Sequence, residues 1–221
     1  MKSFFARVFR MIFGLFLFAL GIMLTIRANI GYAPWEVFHV GIADTLGLSL
    51  GVVSIAVGII ILLVTKLLGE KVGFGAILNM LLIGIFLNII IFMDFIPKMG
   101  NFFYGIIMLV LGLIIISIGS YFYIGSGFGA GPRDNLMIVL AKKTKISAGI
   151  CRSIIEMTVL IIGWFLGGMA GLGTVISVFG IGFCIQITFK ILKFDVTAVK
   201  HESLAETLVF LLGKANKGKE P

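Results

Sequence analysis

Charge is what this sequence has least of: 18 Lys and Arg and 10 Asp and Glu among 221 residues, 13% in all. Soluble domains are about a quarter charged, so a water-soluble globular protein is excluded. A disordered chain is excluded as well, because it needs low hydrophobicity and high charge. Cysteine is equally scarce. Cys151 and Cys184 are the only two, and they cannot staple a chain of this length into a secreted disulfide scaffold. The two histidines, His39 and His201, stand alone, and no His, Cys and carboxylate grouping has metal-ligand spacing. No nucleophile–base pair stands out either. The sequence therefore predicts neither an enzyme nor a metal or cofactor site.

What is abundant is apolar. Hydrophobic residues make up 60% of the chain, and the mean hydropathy is +1.18. A spanning helix needs about 20 predominantly apolar residues. Six stretches meet that length: Val8–Ile26, Leu50–Leu68, Gly73–Met93, Phe102–Ile124, Ser147–Gly167 and Leu172–Ile191. The runs are continuous, whereas a barrel strand alternates over about ten residues, so the expected fold class is all-α. The first run follows Lys2, Arg7 and Arg10 as a signal peptide would. It ends in Thr25-Ile26-Arg27 with no small-x-small site, and a retained helix is expected. Two further segments, Pro34–Leu46 and Pro132–Thr144, would rise only ~18 Å as helices, too little for a bilayer core of about 30 Å. They are expected to be interfacial or re-entrant.

Orientation follows from Lys and Arg, which concentrate in cytoplasmic loops. With six spans and both termini inside, fifteen of the 18 basic residues fall on the inner side; Arg27 and Lys98 are left outside, and Arg152 lies within a span.

The two halves align without a gap at an offset of 98 residues. Gly14 falls on Gly112, Gly21 on Gly119, Gly31 on Gly129, Pro34 on Pro132, Gly51 on Gly149 and Gly84 on Gly182. Glu36 falls on Asp134, Asn79 on Ser177 and Asn88 on Gln186. Shared Leu and Ile align easily by chance in membrane sequences, but matched Gly, Pro and polar positions do not. The expectation is an internal duplication: repeat one over 1–100, repeat two over 101–193. Each repeat holds three spans and one short helix. Three is odd, so the second copy enters the membrane from the opposite side, the inverted-topology arrangement of many secondary transporters.

Both short helices begin on one pattern, Gly31-Tyr32-Ala33-Pro34-Trp35-Glu36 and Gly129-Ala130-Gly131-Pro132-Arg133-Asp134. Proline suits the first helical position, where its missing N–H would be unpaired anyway. The acidic residue two positions later meets the free N–H groups and the positive end of the helix dipole. As structure alone, these are two well-made helix starts, with Trp35 and Tyr32 as interfacial anchors. As function, they are half-helices facing each other across the pseudo-two-fold axis, framing a polar site with Arg133, and Arg27 as a further positive charge. An Arg133–Glu36 ion pair acting as a gate fits the same residues.

The stretch with GYAPWEVFHVG and GLSLG, together with the later GFGAGPRDNLM, resembles the YczE/YitT-type group of bacterial integral membrane proteins through the sixth span. The resemblance implies a membrane fold and a bacterial plasma-membrane location. It carries over no substrate and no catalytic residue.

Ionisable side chains within a span are costly and often functional. Glu156 lies in the fifth span with Arg152 four residues earlier on the same face, spacing that permits an ion pair. Their repeat-one counterparts are Gly58 and Ser54, so the pair is not part of a symmetric scaffold. Asn79, Asn88 and Gln186 are expected to hydrogen-bond between helices, and Gly163 and Gly167 at GxxxG spacing to allow close packing. After Ile191 the composition turns charged. Over 194–221, Ser203-x-x-Glu206 before Leu204, Leu208, Leu211 and Leu212 predicts a cytoplasmic amphipathic helix and a Lys-rich tail. The net charge of +8 then points to anionic lipid rather than nucleic acid.

The expected function is transport of a small solute, anionic or zwitterionic, with Glu36, Asn79, Arg133, Asp134, Arg152 and Glu156 at the site. The expected partners are the lipid bilayer, the solute and a second copy in a homodimer. The alternative is a non-transporting membrane scaffold or accessory protein.

Overall fold

The computed structural model describes residues 2–69, 73–129, 131–146 and 148–194. The expected tail helix around Ser203 and Glu206 lies outside the described residues. The described residues form eight α-helices in the order α1 (Lys2–Arg27), α2 (Pro34–Leu46), α3 (Leu50–Leu67), α4 (Phe74–Met93), α5 (Phe102–Ile124), α6 (Pro132–Thr144), α7 (Ala148–Phe165) and α8 (Leu172–Ile191). No strand occurs among them. Five of these helices, α1, α3, α4, α5 and α8, are long and apolar enough to cross a bilayer. The sixth expected span, α7, carries Arg152 and Glu156 and is not among the five.

Local chemistry sets the boundaries. Proline stands at the first position of both α2 and α6, where it costs no hydrogen bond. The Ser49 hydroxyl accepts from Val52 N–H to cap α3, and Asn101 Oδ1 accepts from Phe103 N–H at 2.8 Å to cap α5. Helix α1 starts six residues before its expected span. Its basic first turns lie on aromatic rings, the Arg7 guanidinium 4.5 Å from the Phe128 centroid and Arg10 4.8 Å from Tyr121.

Three of the four helix pairs match between the halves in length and place, while α1 (26 residues) and α5 (23) differ at both ends. Helices α2 and α6 have 13 residues each, α3 and α7 18, α4 and α8 20, and each pair is displaced by 98 positions. The C-terminal turns of α2 and α6 close on Gly47 (φ 64°) and Lys145 (φ 59°), again 98 apart.

Helices α1 and α5 cross at the centre and run antiparallel. Gly14 lies against Gly119 and Gly21 against Gly112, so positions rise along one helix as they fall along the other. A Cβ on Gly14 would sit 2.6 Å from Tyr123 N and 2.8 Å from Gly119 O, and one on Gly21 would sit 2.7 Å from Gly112 O. Small residues permit this backbone approach where lipid supplies no hydrophobic drive between helices. Helix α4 packs on α1 as α8 packs on α5, and α2 packs on α7 as α6 packs on α3. The junctions match too. Gly75 N–H donates to Phe128 O and Gly173 N–H to Ile30 O, both at 2.7 Å.

One matched pair differs. Helices α3 and α4 pack closely, with Gly51 against Gly84 O, Ile55 against Gly84 and Met80 over Gly58. Among the described residues α7 and α8 make no comparable contact, and Gly182, the counterpart of Gly84, faces open space. Of the expected GxxxG pair, Gly163 packs against Val37 and Phe38, as foreseen. Gly167 does not. It closes the end of α7 at φ +91° with open space around it, and the neighbouring Gly168 meets Val37 O instead.

Candidate functional site

Helices α2 and α6 point their first turns at each other in the middle of the bundle. Glu36 on α2 is 5% exposed, and its Oε1 lies 3.6 Å from Arg133 Nη1 on α6. The Arg133 guanidinium stacks 4.6 Å from the centroid of the Trp35 ring. Trp35 is therefore not an interfacial anchor but a buried plate beneath a cation, packed with Ile61 and Val159.

Around this contact lies a chamber of about 290 Å³ to which all eight helices contribute. Five of the six expected site residues line it: Asn79, Arg133, Asp134, Arg152 and Glu156. Glu36 joins through its ion pair with Arg133. The Arg152–Glu156 spacing is realised as a bond, Nε to Oε1 at 2.9 Å, with the arginine half exposed at the chamber edge. Among the described residues Asp134 makes no ion-pair contact, and its Oδ2 accepts from the Tyr123 hydroxyl at 3.2 Å. The same hydroxyl oxygen accepts from Gly131 N–H at 3.3 Å, so one phenol ties the carboxylate to the start of α6. Asn79 faces that turn as well, its amide 3.3 Å from where a Gly131 Cβ would stand. Asn88 serves the scaffold, its Oδ1 accepting from Gly51 N–H across α3 and α4 at 3.0 Å. Arg27 does not reach the chamber. It pairs with Asp94 beyond the ends of α1 and α4.

Two residues enter the site that the sequence did not single out. Tyr123 sits in the aromatic run Tyr121-Phe122-Tyr123 at a span end, which reads as an interfacial belt. His39 reads as isolated, yet it lies one helical turn from Trp35 on the same face. It is 3% exposed, lines the chamber, and among the described residues its Nε2 has no hydrogen-bond partner. The i, i+4 spacing from Trp35 was the available signal.

This geometry belongs to a recognisable sequence group. Residues 5–190 match the profile described as a family of unknown function (DUF6198). The chain belongs to that family. Among its relatives is the Bacillus subtilis protein described as uncharacterized membrane protein YczE, 37% identical over 167 residues, covering 74% of this chain and 76% of that one. An uncharacterized Haemophilus influenzae protein is 31% identical over 182 residues, covering 82% and 83%. A second Bacillus subtilis protein, YyaS, is 26% identical over 168 residues, covering 75% and 83%. No solved structure gives a significant match. The resemblance read from the two Gly/Pro motifs thus holds over the spanning part of the chain. The family description and these names add no substrate.

Proposed function

We propose that this protein is an inverted-repeat transporter of a small anionic or zwitterionic solute, working from the central chamber. Six spans cross the bacterial plasma membrane in this reading, α7 included, with both termini cytoplasmic. The protein moves its solute without chemical change. Support for the repeat comes from the displacement of 98 positions shared by paired helices and from the antiparallel crossing of α1 on α5.

The observation that carries transport is the unequal state of two matched helix pairs. Helix α3 is shut against α4 while α7 stands off α8, and the chamber lies between these pairs. In an inverted repeat, exchanging the two conformations turns an opening on one side into an opening on the other. That exchange is how such proteins alternate access to a fixed site. A static scaffold has no use for it.

Cysteine pairs test the exchange in native membranes. Ile55→Cys with Gly84→Cys crosslinks in the described state, and Ser153→Cys with Gly182→Cys crosslinks in the exchanged one. Locking either pair is expected to raise the reactivity of chamber cysteines from one side of the membrane and abolish it from the other. Failure of the Ser153/Gly182 pair to crosslink under any condition counts against transport and favours the accessory role.

A further inference from the structure

The chamber holds three carboxylates, Glu36, Asp134 and Glu156, and two guanidiniums, Arg133 and Arg152. Two helix N-termini add roughly half a positive charge each, so the polar groups balance near neutrality. They are not evenly matched, however. Glu36 has Arg133, and Glu156 has Arg152. Asp134 has a phenol. Asp134 is the repeat-two counterpart of Glu36, and the residue facing Glu36 is the counterpart of Trp35. Arg133 thus gives Glu36 a direct ion pair, while Asp134 accepts from the Tyr123 hydroxyl and meets the Arg133 charge only through space. Tyr123 stands where repeat one has Thr25, whose hydroxyl turns back to Ile22 O at 2.7 Å.

The second unmatched group is of opposite sense. His39 lines the chamber, and its buried Nε2 has no hydrogen-bond partner among the described residues, a state that a ligand or water would relieve. Arg133 stands near it, with five N–H donors of which Glu36 engages one edge. The remaining wall is mostly apolar, including Val57, Ile61, Ile116, Ile155 and Ile181, with Ser54, Asn79 and Ser120 as its further polar groups. At about 290 Å³ the chamber is at the small end of ligand pockets, which run ≈ 300–1,000 Å³.

We infer that the solute is a small zwitterion with an aliphatic body, its ammonium held by Asp134 and Tyr123 and its anionic group by His39 and Arg133. This rests on the transport reading for its biological setting but not for its test. A net-neutral solute with two separated charges meets a near-neutral chamber with two unmatched poles. A simple anion leaves Asp134 unanswered, and a simple amine leaves His39 unanswered.

Three probes on one carbon skeleton separate these classes: leucine, 3-methylbutylammonium, which lacks the carboxylate, and 4-methylpentanoate, which lacks the ammonium. The readout is the melting temperature of the purified full chain in detergent, with each probe at millimolar concentration. Leucine is expected to raise it by a few degrees and each analogue by less than half as much. Asp134→Asn is expected to bring leucine down to the level of 4-methylpentanoate, and His39→Phe to the level of 3-methylbutylammonium. If Asp134→Asn does not yield monodisperse protein, Tyr123→Phe, which keeps the carboxylate, is expected to weaken the leucine response several-fold. Equal responses to leucine and 4-methylpentanoate, or a leucine response untouched by these variants, overturn the inference. So does a wild-type protein that answers to none of the three. The crosslinking test is independent of all these outcomes, so transport of another solute class survives them.

Discussion

Arg133 is gripped from two directions, by the Glu36 carboxylate at 3.6 Å and by the Trp35 ring at 4.6 Å. Glu36 is buried while Arg133 is about a third exposed to the chamber, so removing the arginine leaves a buried carboxylate uncompensated, the costlier of the two losses. Glu36→Gln and Arg133→Gln are each expected to lower the melting temperature markedly, and the double variant to recover part of the loss. Additive losses in that cycle would mean the pair does not interact. Arg133→Lys keeps the charge but gives up the planar face that stacks on Trp35, and it is expected to behave more like Gln than like the wild type. At this scale the sequence was informative where charge is rare. Five of the six residues chosen for their charge or amide line one chamber because a buried bundle tolerates such groups only when they meet each other or a cavity. Tyr123 stayed hidden because helix spacing alone does not report which way an aromatic ring at a span end faces, whereas His39 carried a signal in its i, i+4 spacing from Trp35 that its isolation from other ligand-type residues masked.

Among the elements, the short helices carry the clearest signal. Each runs 13 residues from a proline to a left-handed cap, at Gly47 in one and Lys145 in the other. Leu48 and Ile146 follow those caps and are both exposed. In an inverted repeat these corresponding positions lie on opposite faces of the membrane. Leu48→Cys is expected to react with an impermeant thiol reagent added to intact cells, and Ile146→Cys only after permeabilisation. Labelling of both from the same side would refute the inversion. The existence of all eight helices was legible as apolar run length and Pro/Gly punctuation, although α7 is not among the five that are long and apolar enough to cross a bilayer. Whether the short helices lie on the surface or enter the bundle was not. That is decided by the contact of Trp35 and Glu36 with Arg133, a contact between residues almost a hundred positions apart. The gap between α7 and α8 was equally invisible, since α3 and α7 read as equivalent.

Over the whole molecule, the outer faces of α4, α5 and α8 expose large apolar side chains such as Phe92, Phe103 and Phe179, the surface a lipid environment solvates. The inside is organised by the backbone contact of α1 with α5. That contact has a property of its own: Gly14 meets Gly119 as Gly112 meets Gly21, the same positions in both copies. Such an interface is isologous. A surface complementary to its own duplicate closes a two-fold pair and leaves nothing over to recruit a third. On the inverted-repeat reading proposed above, a single repeat inserted in both orientations would assemble with itself through this contact. The join between α4 and α5 is tied back to the end of α1, with Asp94 paired to Arg27, Met99 N–H donating to Arg27 O at 2.8 Å, the Asn29 amide donating to Met99 O at 3.1 Å and Ile96 buried in the core, while Gly100 at its tip faces open space. Cutting the chain there and expressing residues 1–100 and 101–221 from separate genes is expected to give halves that co-purify. Gly21→Leu, placed against Gly112 O, is expected to separate them.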